Sequence, residues 1–142
     1  MTDTAQAADT LSRYDQAAQV LDSIFGPAWR EKQKETGFKA VDDFQRIAVE
    51  SCYADVWSRD TLDYKTRSAI CLSILATRGS HEEFKMHVEA ALANGWTHEE
   101  IFEIVLNFIP YIGVPKSMQA LKVAGATFKE LFERDVAAAE AN

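Results

Sequence analysis

Apolar side chains recur at three-to-four-residue spacing along almost the whole chain, the signature of amphipathic helices. Leu11, Tyr14, Ala18, Leu21 and Phe25 predict a first helix from about residue 10. Gly26-Pro27 ends it, because proline lacks an amide donor and restricts the residue before it. A polar stretch follows to Gly37, carrying Trp29, with a short helix expected after Pro27. A second helix is expected from Val41 to Trp57. Its stripe begins at Phe44, Ile47 and Ala48 and runs on through Ser51, Cys52 and Asp55, while a second face carries Val49, Tyr53, Val56 and Trp57. That breadth predicts burial from two sides.

The next helix, Asp63 to Ala76, carries Ile70, Cys71, Ile74 and Leu75, with Arg67 one turn before Cys71. After Arg78-Gly79, Ser80 and Glu83 read as a capping box opening a helix that presents Phe84, His87, Val88 and Ala91. Asn94-Gly95 closes it. Thr97 and Glu100 repeat the box before Ile101, Ile104, Val105, Phe108 and Ile109. Pro110 and Gly113-Val114-Pro115 interrupt, and a last helix is expected from Lys116 to Val136, with Gly125 admitting a close neighbour. The spacing shows no β-hairpin, phosphate loop or internal repeat. An all-α fold of helices packed in antiparallel pairs follows.

Composition narrows the function classes. A chain of 142 residues with 47% hydrophobic content suits one domain with a single core, spanning 1–142, with 1–9 and 137–142 as flexible tails. A formal charge of −7 disfavours nucleic acid and anionic membrane as partners. Met1 to Asp9 lack a basic region followed by an apolar one, so a cytoplasmic location is expected. Cys52 and Cys71 have neither the number nor the spacing of a disulfide framework or a zinc site, so no metal is expected.

His87 sits on a face that should turn inward. It is either a hydrogen-bonded core histidine or a general acid or base, since imidazole titrates near neutral pH. Arg67 is either one half of an ion pair or a fork that clamps a substrate carboxylate. Asp55 can pair with Arg67 or Arg59, or orient His87. Cys71 reads as a small buried hydrophobe, and His81 and His98 as solvated.

The blocks Asp55-Val-Trp57-Ser-Arg59-Asp-Thr-Leu62, Thr66-Arg67-Ser68 and Glu82-Glu83-Phe-Lys-Met-His87 closely resemble carboxymuconolactone decarboxylases. Asn94-Gly95 with Glu99-Glu100-Ile101, then Tyr111-Ile-Gly113-Val-Pro115, continue the resemblance in the same order. It implies an AhpD-like helical bundle of about six to seven helices, assembled as a homo-oligomer such as a trimer or hexamer. It also implies a lyase without a cofactor that removes carbon dioxide from 4-carboxymuconolactone or a related small carboxylated lactone. Arg67 would then clamp the anion and His87 donate the proton.

Relatives of the alkylhydroperoxidase type use Cys-x-x-Cys-x-x-x-His; that spacing, counted back from His87, lands on Glu83 and Ser80. Both thiols are missing, which argues against a thiol peroxidase. Decarboxylases typically read Tyr-Cys-Gly-(Ile/Val)-Pro-Ala-Ala-Asn where this chain has Tyr111-Ile112-Gly113-Val114-Pro115-Lys116-Ser117-Met118, and a histidine where it has Ser51. Ser51, Asp55, Trp57, Ile112 and Lys116 are therefore the expected substrate-binding positions, and the substrate is expected to differ. A redox enzyme using Cys52 or Cys71, or a noncatalytic binding protein, are the competing classes.

Overall fold

The computed structural model describes residues 11–27, 29 and 35–141. The described residues are helical, with α1 Arg13–Phe25, α2 Lys39–Val49, a π-helical segment Glu50–Trp57, α3 Tyr64–Arg78, α4 His81–Ala93, α5 His98–Leu106, α6 Ile109–Ile112 and α7 Val114–Glu140. None of these helices is long and apolar enough to cross a membrane. The chain divides into two compact units, Met1–Thr61 and Leu62–Asn142.

In the first unit α1 starts at Ser12, whose hydroxyl accepts from the Asp15 amide at 3.1 Å and satisfies one orphan donor. Its buried side chains are Ala17, Ala18, Val20, Leu21 and Ile24, whereas Leu11 and Tyr14 of the expected stripe are exposed. Trp29 closes this small core against Ala18 and Leu21, and its indole donates to Asp22 at 2.9 Å. The rest of the helix expected after Pro27 lies outside the described residues.

The expected continuous helix Val41–Trp57 is two structures. α2 buries no residue, so the stripe of Phe44 and Ile47 faces outward. The chain then widens into π-helix, ending with the Ser58 amide bonded to the Tyr53 carbonyl five residues back at 3.0 Å. At the transition the Ser51 hydroxyl donates to the Ile47 carbonyl, a back-bond that competes with the α ladder. Ala54 and Trp57 are buried in this segment while Ser51, Cys52, Asp55 and Val56 are exposed, so burial comes from one side here.

The second unit is built on α3 and α4. Asp63 caps α3, accepting from the Thr66 amide at 2.7 Å. Gly79 ends it at φ 73°, ψ 24°, a left-handed conformation that costs glycine nothing. Two residues later α4 runs back alongside, and at its far end the Asn94 amide nitrogen donates to the Ser68 hydroxyl at 3.1 Å. The hairpin is therefore antiparallel. Its core joins Leu72 and Phe84 to Ile101 and Val105 of α5 and to Ala120 and Ala124 of α7.

The two capping boxes have different fates. Thr97 and Glu100 make theirs: the Glu100 amide donates to the Thr97 hydroxyl at 3.2 Å and the Thr97 amide to the Glu100 carboxylate at 2.8 Å. That second bond is the main reason the Glu100 carboxyl titrates below its ordinary value. Ser80 makes no side-chain cap, because its ψ of 77° departs from the extended backbone that Thr97 adopts at ψ 162°. Two further expectations fail. A Cβ at Gly125 would meet nothing within 4 Å, so no helix approaches closely there. The last helix continues through Ala137–Glu140, since alanine and glutamate are strong helix formers even without burial.

These caps make a direct comparison. Thr97→Ala is expected to cost about 1 kcal/mol in urea denaturation. Ser80→Ala should change the midpoint by much less, and equal losses would show that Ser80 does cap.

Candidate active site

Arg67 and His87 are carried by neighbouring antiparallel helices. Arg67 sits in the first turn of α3, half-buried, and its Nε donates to the Leu62 carbonyl at 3.2 Å. That bond folds the base of the side chain back over the helix start. Ser68, the next residue, has no exposed surface and is the residue Asn94 holds. Taking that bond as the register mark, Arg67 and His87 are eight residues apart along the hairpin, an offset of about 12 Å at 1.5 Å per residue.

His87 lies between Phe84 and Val88, both fully buried, and its own Nδ1 atom is shielded from solvent. Burial pushes its pKa below the ordinary imidazole value, and the Glu83 carboxylate opposes that only in part. The neutral ring is thus favoured.

The other expected positions are more scattered. Asp55 forms an ion pair with Arg13, in place of the expected Arg67, Arg59 or His87, because α1 packs along the π-helical segment. Ser51 spends its hydroxyl on the Ile47 and Ala48 carbonyls. Trp57 is buried in the first unit with its ring centroid 5.9 Å from that of Tyr53. Ile112 ends α6, half-buried. Lys116 donates to the Thr77 carbonyl at 2.6 Å, and so neutralises the C-terminal end of α3. Cys52 is exposed and Cys71 partly exposed, so Cys71 is less deeply placed than its apolar neighbours suggested.

Within the units, one cleft of about 330 Å³ is lined by Tyr14, Asp42 and Arg46 among others. Another of about 370 Å³ is lined by Trp96, Ile104, Asn107 and three glutamates. Neither includes Arg67 or His87. His98, read as solvated, packs its ring against Phe128 with centroids 4.2 Å apart. The positioning pair Ser68 and Asn94 was not singled out in the sequence. Its signal was present: Ser68, Leu72 and Ala76 recur at four-residue spacing, which puts a hydroxyl on the buried arc of α3.

The all-helical arrangement is that of an AhpD-like bundle. Known proteins carry the assignment further. Residues 42–126 match the carboxymuconolactone decarboxylase family. The chain is 32% identical over 119 residues to the 4-carboxymuconolactone decarboxylase of Acinetobacter baylyi, covering 84% of this chain and 89% of that protein. It is 26% identical to the nitrosuccinic acid decarboxylase of Metarhizium robertsii, covering 85% of each. An uncharacterised 15.0 kDa protein of Paracoccus denitrificans is 27% identical, over 81% of this chain and 87% of that one. The chain belongs to the carboxymuconolactone decarboxylase family.

The depressed basicity of His87 has a sign that stability measurements read. The unfolded imidazole takes up its proton near pH 6.5, whereas the folded one does so only at lower pH. Unfolding therefore gains protons in that window, and stability falls as pH drops through it, with no contribution above it. Wild-type protein should lose stability relative to His87→Asn between about pH 7 and the folded pKa. A difference that stays constant across that range in urea titrations would refute the burial of the ring.

Proposed function

We propose that this protein is a cofactor-independent carboxy-lyase acting on 4-carboxymuconolactone or a related small carboxylated compound, with Arg67 as anion clamp and His87 as proton donor. The observation that carries this reading is His87, a ring with suppressed basicity on the helix packed antiparallel to the one that bears Arg67. The relatives support it through chemistry. In 4-carboxymuconolactone and in nitrosuccinic acid, one carbon bears a carboxylate, a carboxymethyl arm and a group able to accept an electron pair. The acceptor is an unsaturated lactone in one case and a nitro group in the other. We therefore place the substrate among succinates with an electron-accepting substituent on the carbon that loses carbon dioxide.

The steps balance without an added reagent. The carbon–carboxylate bond breaks, carbon dioxide leaves, and the electron pair stays on the acceptor as a dienolate or nitronate. His87 then gives a proton to carbon, and water restores the proton to the ring. Burial favours the neutral ring, and an anion bound beside it favours the imidazolium, the form that donates the proton. Arg67 keeps its charge throughout and holds a carboxylate in two-point register.

Loss of ultraviolet absorbance from 4-carboxymuconolactone, run beside nitrosuccinate, tests the reading. His87→Ala should lower kcat by about 10²–10⁴-fold. Arg67→Lys should raise KM while Cys52→Ser/Cys71→Ser leaves turnover unchanged. If neither compound decays above its spontaneous rate, the substrate class is wrong. If His87→Ala retains full activity, the proton comes from elsewhere.

A further inference from the structure

α3 carries a second arginine on the same face as the first. Arg67, Ile74 and Arg78 follow one another at steps of seven and four residues, so at 100° per residue they fall within an arc of about 40°. The strip between the two arginines is open, with Ile74 53% exposed. Arg78 is the last residue of α3 and is itself exposed. Among the described residues its guanidinium makes no ion pair or hydrogen bond.

His87 faces this side of α3. Asn94, which reaches Ser68 on α3, lies seven residues beyond His87 and so within about 20° of it around α4. In the register that bond marks, His87 stands level with Leu75. It is therefore three residues from Arg78, about 4.5 Å along the hairpin, against eight from Arg67. Side chains on a helix lean toward its N-terminus. On antiparallel helices Arg78 and His87 thus lean toward each other, whereas Arg67 leans away and is bonded to the Leu62 carbonyl. Glu83, one turn before His87 on the same edge of α4, makes no ion pair with Arg78.

We propose that Arg78 holds the carboxylate that stays in the product, the one on the carboxymethyl arm, while His87 protonates the neighbouring carbon. The proposal rests on the carboxy-lyase reading above. A succinate-like substrate has two carboxylates, and only one departs. The other is one methylene away from the carbon that takes the proton, so its partner must be a cation close to the proton donor. Arg78 meets that requirement by position, and its planar fork can bind both oxygens of a carboxylate. A cation at this end of α3 also complements the helix dipole, a role that lysine fills as well as arginine does. The two roles are therefore separable by substitution.

Calorimetric titration of the full chain with 3-nitropropanoate tests this without turnover, because that compound is nitrosuccinate less its carbon dioxide and keeps only the arm carboxylate. Wild type should bind it, and Arg78→Met should weaken binding by about 10–100-fold, the worth of charge-assisted hydrogen bonds to a carboxylate. Arg78→Lys should keep the wild-type urea midpoint, since the helix end retains its cation. It should still bind 3-nitropropanoate less tightly and raise KM with kcat little changed, because the arm carboxylate is held alike before and during the reaction. A wild type that does not bind 3-nitropropanoate, or an Arg78→Met that binds it as tightly as wild type, would overturn the proposal. Turnover with binding and KM unaltered in Arg78→Met would leave the lyase reading standing without Arg78. Weakened binding in a protein that turns over neither compound would instead keep Arg78 as a carboxylate site and remove the lyase.

Discussion

The second unit depends on how α3 sits against α4, and one part-buried hydrogen bond marks that register. Ser68 has no contact with solvent, so its hydroxyl must find a partner inside the protein, and Asn94 supplies it. Sliding the helices by a turn would leave that hydroxyl unsatisfied, at a cost of about 1–3 kcal/mol. It would also separate Leu72 and Ala76 from Phe84 and Val88, which pack together in the core. The other end of the hairpin is held by backbone geometry at Gly79 and by Lys116, which reaches from α7 to the Thr77 carbonyl. Arg67 and His87 inherit their spacing from these two fixed ends. The candidate chemistry is thus set by a residue that does none of it.

Sequence reading succeeded where the controlling physics is local. The Thr97 box, the break at Gly79 and the apolar period of α5 each depend on residues within one or two turns of each other. The misses have a common cause. Ser80 has the right side chain for a cap, but its backbone angle is set by the tight turn after Gly79, which no spacing rule describes. Asp55 finds Arg13, which lies 42 residues earlier, a choice made by packing of α1 and invisible to any window along the chain. The period of α2 correctly identified an apolar face at Phe44 and Ile47. A period cannot say what covers that face, and among the described residues nothing buries it.

The chemistry of the relatives also clarifies why the thiol motif can be absent. A helix position four before His87 carries Glu83 here, and its carboxylate nudges the ring toward the charged form while burial works against it. A cysteine at that position would offer a nucleophile; a carboxylate offers only field. Decarboxylation needs no nucleophile, because the electron pair already has an acceptor within the substrate. The absence of both cysteines is thus compatible with membership of a decarboxylase family.

The π-helical segment makes the chain a counting device. An α-helix that gains one residue can absorb it as a wider turn, so Glu50–Trp57 behaves as if it stores a surplus residue between α2 and the loop after Trp57. Removing one residue there would let the ladder snap back to α spacing and swing part of the segment by about 100° around its axis. Trp57 would leave its packing on Tyr53, and Asp55 would turn away from Arg13. Length at this point is therefore as constrained as identity. Substitutions that keep the count should be far better tolerated than any deletion, and alignments of related chains should avoid gaps through this stretch.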